Sequence, residues 1–244
     1  MKRILWIILG LFFLTSNFSY SQFGKNKVQY KEFDWKYIQS DHFDVYYNDG
    51  SKYLAEFAAL TAEKSLKSIE RLLSYEMTKR TTFVVYDSHN EFQQTNVISV
   101  YMPEGVGGVT ELYKNRVVVP FQGDYSLFDH VIHHELVHAV LNDMFYGGTF
   151  QSAVASGSNF SIPLWMNEGI CEYESRNGYD TETDMFMRDL TISEKLPSLE
   201  RLRGYLSYRG GQAFYWYVAR EYGKQRVGDL INRLLVERNV NNAF

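Results

Sequence analysis

The stretch from Asp129 to Leu141 constrains this chain more than any other part of its sequence. It has two histidines and one glutamate in the arrangement His134-Glu135-x-x-His138, among apolar residues that recur at helical intervals. Residues four apart on an α-helix lie one above the other, so both imidazoles can reach one divalent metal ion. Glu135 projects about 100° away from His134, which places its carboxylate beside such an ion and not on it.

A metal site that performs catalysis needs a third protein ligand, because a catalytic zinc ion uses three and keeps one position for water. The segment from Pro163 to Tyr173 has Glu168 and Glu172 four residues apart, on one face of a second predicted helix. Glu168 follows His138 by 30 positions, which leaves room for a loop and for a helix that packs back against the first. The second helix therefore supplies two carboxylates from which the third ligand could come.

The HExxH pattern followed by Asn167-Glu168 on a second helix resembles the gluzincin metallopeptidases, which include thermolysin and the zinc aminopeptidases. The resemblance implies that His134, His138 and Glu168 bind one Zn²⁺. It also implies that Glu135 is the catalytic base, which takes a proton from the attacking water.

Three further side chains near these ligands have predicted roles outside the metal's own shell. Glu172 stands where thermolysin usually has an Asp that orients the first histidine, here His134, and an exposed helix face is the alternative. By the same analogy, Asn167 would steady His138. Cys171 is the single cysteine of the chain, so it cannot form an internal disulfide, and it is predicted to be a small core residue.

The glycine-rich segment Gly107–Glu111 is the predicted substrate strand. In gluzincins, a strand at the rim of the sheet pairs with the extended substrate, so Gly108, Val109 and Thr110 are the predicted substrate-binding residues. An ordinary hairpin edge is the alternative. Zinc aminopeptidases have Gly-x-Met-Glu-Asn here, and its Glu binds the free amine of the substrate. This chain has Thr110 in the place of that Glu, and Glu111 follows one residue later. Successive side chains of a strand point to opposite faces, so Glu111 would not bind the amine, which favours an endopeptidase.

The segment Tyr205–Phe214 resembles the Tyr-x-x-Gly stretch of zinc aminopeptidases, in which the tyrosine hydroxyl stabilises the oxyanion. Tyr208 is the matching position, and Tyr205 is the second candidate. The chain has 19 tyrosines, so a place in the aromatic core is the alternative for either one.

The composition fits one medium domain, or two lobes that share a cleft, because 45% of the 244 residues are hydrophobic. A net charge of -4 without basic runs gives no reason to expect nucleic acid as a partner. Residues 1–21 have a basic start, an apolar run from Ile4 to Leu14 and a small polar end, which is typical of a secretory signal peptide. We expect a secreted or periplasmic, cell-envelope protein without a transmembrane segment after its removal.

The predicted fold is α+β and zincin-like. A mixed β-sheet with helices and the metal-binding helix would occupy residues 22–146, and a mainly helical C-terminal lobe, residues 147–244, would carry the third ligand. A loop rich in Gly and Ser is predicted at 147–161, and a late helix is predicted to begin at Gly211. Family members often continue into further domains, so additional C-terminal domains in a longer native chain are also expected.

The predicted function is zinc-dependent hydrolysis of peptide bonds by metal-activated water, with a peptide or protein as substrate. One alternative is a catalytically inactive zincin-fold module that binds peptides or proteins of the cell envelope. A structural zinc normally has a protein group in its fourth position, so a fourth protein ligand would favour this module. A zinc hydrolase of non-peptide bonds is a third possibility.

Overall fold

The computed structural model describes residues 27–99, 101–112, 114–147 and 161–243. The predicted signal peptide and nearly all of the predicted loop at 147–161 lie outside the described residues. The α+β class predicted from the sequence is confirmed, since one mixed sheet is combined with helices along the rest of the described chain.

Five strands form one sheet in the order β1-β2-β3-β5-β4. They are β1 (Trp35–Gln39), β2 (Phe43–Asn48), β3 (Thr81–Tyr86), β4 (Val109–Glu111) and β5 (Arg116–Pro120). The central strands β2, β3 and β5 run parallel, whereas β1 and β4 are antiparallel to their neighbours. The short strand β4 is therefore an edge strand next to β5, and no other described strand pairs with it.

The helices among the described residues are α1 (Lys52–Leu73), α2 (His89–Phe92), α3 (Tyr125–Tyr146), α4 (Leu164–Ser175), α5 (Thr181–Ile192), α6 (Tyr205–Tyr222), α7 (Gln225–Glu237) and α8 (Val240–Ala243). None of these helices combines the length and the apolarity that crossing a bilayer requires. A 3₁₀ turn at Leu199–Arg201 precedes α6.

The hydrophobic core lies between one face of the sheet and the long helices α1 and α3. The alternating pattern of β2 buries Phe43, Val45 and Tyr47 on this face, as the sequence predicts. A smaller apolar cluster around Tyr86 and Phe92 covers part of the opposite face. Because α3 packs on the sheet next to the edge strand, its polar residues come close to β4.

The ends of helix α3 follow from its sequence. The carboxylate of Asp124 accepts hydrogen bonds from the backbone N–H groups of Ser126 and Leu127, which are otherwise without a helical partner. Gly147 ends the helix in the left-handed region, with φ of 68°. Ser51 immediately precedes α1, but its side chain makes no capping hydrogen bond.

Helix α6 begins at Tyr205, six residues before the predicted start at Gly211. The predicted start is wrong because Gly210 and Gly211 lie inside the helix, although glycine is intrinsically unfavourable there. A Cβ atom on Gly211 would lie 2.0 Å from the carbonyl oxygen of Trp165 and 2.6 Å from Cα of Gly169. Gly211 and Gly169 thus allow the backbones of α6 and α4 to touch. Because α6 begins at Tyr205, it also includes Tyr208.

Candidate metal centre

The three predicted metal ligands meet where α4 packs against α3. The carboxylate oxygen Oε2 of Glu168 lies 3.3 Å from Nε2 of His134 and 3.3 Å from Nε2 of His138. Two ligand atoms that are each about 2.05 Å from a tetrahedral zinc ion lie about 3.3 Å apart. These two distances therefore fit a shared zinc ion, although the role of the three residues as ligands stays a prediction.

The electrostatic environment of the centre favours an added positive charge. Burial alone would lower the pKa of His134, but the side chains of Glu168 and Glu172, together with the charge of Glu135, raise it to about 10. Burial alone would raise the pKa of Glu168, but His134 and His138 lower it to about 2. Within the described ranges, no Lys or Arg nitrogen lies within 4.0 Å of the carboxylates of Glu135 or Glu168. A divalent cation would supply the missing positive charge.

Glu172 divides its two carboxylate oxygens between the metal centre and two arginines. Oε1 lies 3.0 Å from Nδ1 of His134 and 3.4 Å from Nε2 of His130. The contact with Nδ1 is electrostatic, because the geometry of a hydrogen bond is not met there. Oε2 accepts from Nε of Arg176 at 2.6 Å and from Nη1 of Arg209 at 3.1 Å. An exposed helix face, the alternative for Glu172, is wrong, because only 5% of the residue is exposed.

The ionised state of Glu172 is favoured by its surroundings. Burial opposes ionisation, but His130 and His134 hold the pKa of this carboxyl well below its usual range. A carboxylate in this place can keep a proton on Nδ1 of His134, which leaves the lone pair on Nε2 for a metal ion. The predicted role of Glu172 in orienting His134 stays a prediction.

Thr110 of the edge strand β4 and Gly108, which immediately precedes this strand, hold the predicted base, Glu135. The hydroxyl of Thr110 lies 2.7 Å from Oε2 of Glu135 and 2.9 Å from its backbone oxygen. A Cβ atom on Gly108 would lie 2.8 Å from Cγ of Glu135, so only glycine allows this close approach. Glu111 points to the other face of the sheet, where its carboxylate accepts from Nε of Arg116 at 2.6 Å. The alternation that the sequence predicts for Thr110 and Glu111 is thus observed.

Tyr208 lies at the centre, as predicted. Its ring stacks on the ring of His134, with the centroids 6.1 Å apart and the planes 17° from parallel. Burial and the negative charges of Glu168 and Glu135 raise the pKa of Tyr208, and its hydroxyl forms a hydrogen bond with Glu168. The hydroxyl therefore keeps its proton at neutral pH and remains a donor.

Tyr205, the second candidate, has different partners. Its hydroxyl accepts a hydrogen bond from Nε of Arg209 at 2.7 Å and donates one to Glu182 at 2.7 Å. Its ring is largely exposed, and Phe186 packs against its face at a centroid distance of 5.1 Å. Tyr208 is therefore the better candidate for the oxyanion donor.

Cys171 is buried in the core, as predicted, but it also contacts the metal centre. Its Sγ lies 3.4 Å from Nδ1 of His138, which is the ring nitrogen that does not face Glu168. The helical spacing contained this signal, because Cys171 follows Glu168 by three residues and shares its face of α4. Asn167 is half-buried on the same helix, and its predicted effect on His138 stays a prediction.

Two other groups of residues could also hold a metal ion, because the ligand atoms within each group lie within 4.8 Å of one another. They are His134, His138 and Cys171, and His130, His134 and Glu172. Both are weaker candidates than the group that includes Glu168. The Sγ atom of Cys171 lies next to Nδ1 of His138, whereas the carboxylate of Glu168 lies next to Nε2 of both histidines. Glu172 is already compensated by two arginines.

Comparison of the chain with protein-family models and with curated proteins gave no match. Membership of the gluzincins is therefore a proposal that depends on the residues of this centre and on their geometry.

Proposed function

We propose that this chain is a zinc metallopeptidase of the gluzincin type, with a zincin-like fold, that cleaves peptide bonds within a polypeptide. The observation that carries the proposal is the position of the Glu168 carboxylate, 3.3 Å from Nε2 of both His134 and His138. These three side chains would hold the zinc ion. When bound, zinc polarises a substrate carbonyl and lowers the pKa of a water molecule toward about 7.

Glu135 is the proposed general base. Its Oε2 is held by the Thr110 hydroxyl at 2.7 Å, so Oε1 is the oxygen that remains to accept a proton from the attacking water. The same atom can then deliver this proton to the amine that leaves. Because Thr110 and Gly108 restrict the carboxylate from two sides, Glu135 is already oriented before the substrate binds.

Tyr208 is the proposed donor to the oxyanion that develops on the substrate carbonyl. Its hydroxyl is close to Glu168 and keeps its proton because burial and nearby carboxylates raise its pKa. A donor that is held in place before the reaction stabilises the developing charge without reorganisation.

The substrate would bind as an additional strand beside β4. Strand β4 lies at the edge of the sheet. Its Thr110 and the preceding Gly108 touch Glu135, so a peptide paired with β4 would pass next to the base. The carboxylate of Glu111 pairs with Arg116 on the other face and is not placed to bind a free amine. Cleavage inside a chain is therefore the proposed activity, and the predicted leader places it outside the cytoplasm.

An inactive binding module remains the second candidate because Cys171 is close enough to His134 and His138 to be a fourth protein ligand. The contact of the thiol with Nδ1 of His138, the ring nitrogen that does not face Glu168, favours the first candidate. In a binding module of this kind, the metal would have no position for water.

The experiment that tests the proposal uses the chain without residues 1–21. Bound zinc is measured after purification, and cleavage of a pool of peptides from denatured protein is compared between the wild type and Glu135→Gln. We expect one zinc ion per chain in both proteins, and internal cleavage by the wild type alone. Zinc in both proteins with cleavage by neither would support the binding module. Equal cleavage by both would remove Glu135 from the mechanism.

A further inference from the structure

Arg209 is a buried arginine beside the metal centre, and none of the steps above involves it. Only 5% of the residue is exposed, although it carries a permanent charge. Its guanidinium contacts groups from three helices, α4, α5 and α6: Glu172, Thr183, Tyr205, Asp180 and Glu182. The most buried of its acidic partners is Glu172, the residue that also faces His134.

The two oxygens of the Glu172 carboxylate have different partners, and this difference indicates what Arg209 does. Arg209 occupies Oε2, which leaves Oε1 directed at Nδ1 of His134. We propose that Arg209 is a positioning residue that acts through Glu172 to hold the His134 ring in the orientation that points Nε2 at Glu168. The affinity of the centre for zinc then depends on Arg209, an inference that rests on the proposed metal site.

Arg176 also contacts Oε2 of Glu172, at 2.6 Å, and offers a matched comparison. It belongs to the same helix as Glu172, four residues later, and its side chain is 26% exposed, against 7% for Arg209. The Arg176–Glu172 pair is partly exposed and lies within one helix, so water screens it more than the Arg209–Glu172 pair. Arg209 comes from a different helix and fixes the direction of the carboxylate by its planar set of donors.

The position of Arg209 is itself fixed by the contact between α4 and α6. Gly211, two residues later, has its backbone against Gly169 and the carbonyl of Trp165. Glu168 and Glu172 lie on either side of this contact in α4, and Tyr208 precedes Arg209 in α6. One helix crossing thus sets the guanidinium relative to both carboxylates.

The test compares Arg209→Met with Arg176→Met in the zinc-free, folded chain. Zinc affinity is measured by competition with a chelator, and folding is checked by circular dichroism. We expect about a 10- to 100-fold loss of affinity for Arg209→Met and less than about a fivefold loss for Arg176→Met. In a Glu172→Gln background, Arg209→Met should lower zinc affinity by no more than about a further twofold, because the carboxylate through which Arg209 acts is already absent.

Two measurements keep the test valid if Arg209→Met does not fold. Tyr205→Phe removes the hydroxyl that accepts from Nε of Arg209 but keeps the charge, so we expect a loss of about two- to tenfold in affinity. In a crystal structure of this variant without zinc, the His134 ring should turn away from the wild-type orientation, in which Nε2 lies 3.3 Å from Glu168. Unchanged affinity and an unchanged orientation of the His134 ring in folded variants would overturn the role of Arg209. A wild type that binds no zinc would refute the proposed metal centre, whereas the orientation of the ring in the zinc-free variants would still report on Arg209.

Discussion

Replacing Gly211 by alanine should separate helices α4 and α6 and weaken the metal centre. The added Cβ atom would lie 2.0 Å from the carbonyl oxygen of Trp165 and 2.6 Å from Cα of Gly169. Both of these are backbone atoms, so no side chain can rotate out of the way. The helices must move apart by about 1 Å to restore normal contact distances.

The expected cost is at the upper end of the range for overpacking, about 3 kcal/mol. Alanine is the better helix former by about 1 kcal/mol, which offsets part of this cost. For a domain of this size, the net loss of about 2 kcal/mol should lower the melting temperature by about 4–8 °C. The displacement would also move Tyr208 away from Glu168, and we expect zinc affinity to fall by about tenfold.

Gly228 provides the matched control because its added Cβ would lie 1.9 Å from the carbonyl oxygen of Leu72, where α7 crosses α1. Gly228→Ala should lower the melting temperature by a similar amount but leave zinc affinity unchanged in the folded protein. The assays are thermal melting without metal and chelator competition at a temperature where both variants are folded. A Gly211→Ala protein with wild-type stability and affinity would refute the backbone contact. Equal losses of zinc affinity in Gly211→Ala and Gly228→Ala would refute the link between the α4–α6 contact and the metal centre.

Three further predictions concern side chains of the centre. Thr110→Val removes the hydroxyl that holds Glu135 and should lower kcat by about 10- to 100-fold without loss of zinc, whereas Thr110→Ser should restore most of it; equal rates for Val and Ser would contradict this role. Tyr208→Phe should lower kcat by about 100- to 1000-fold while zinc content stays the same, as measured by metal analysis and peptide cleavage; an unchanged rate would exclude Tyr208 as the donor. Glu168→Gln should weaken zinc binding by more than the roughly 100-fold cost of losing an outer partner, in a chelator titration; tight binding by this variant would remove Glu168 from the ligand set.

Local patterns were sufficient to predict much of this fold. The alternation of β2 gave its buried face, and the spacing of His134 and His138 placed both rings on one side of α3. The convergence of Glu168 on both rings was predicted from helix periodicity together with the family resemblance. Such features depend on residues that are near in sequence or that form one recognised motif, so a single sequence contains them.

Features that depend on contacts between distant segments were not predictable in the same way. Gly211 looks like a helix break until the backbone of α4 is placed against it. The role of Arg209 requires knowing that α4, α5 and α6 meet at Glu172, and no local pattern pairs residues 37 positions apart. Intrinsic helix preferences are weak, and tertiary packing overrides them at these positions.

The most direct measurement of the central claim is anomalous X-ray scattering at the zinc edge from crystals of the chain grown with zinc. The proposed metal centre predicts one strong peak from a zinc ion that is bonded to Nε2 of His134, Nε2 of His138 and the carboxylate of Glu168, with a water molecule as the remaining ligand. A peak between His130 and Glu172, a peak bonded to Cys171, or no peak at the centre would contradict it.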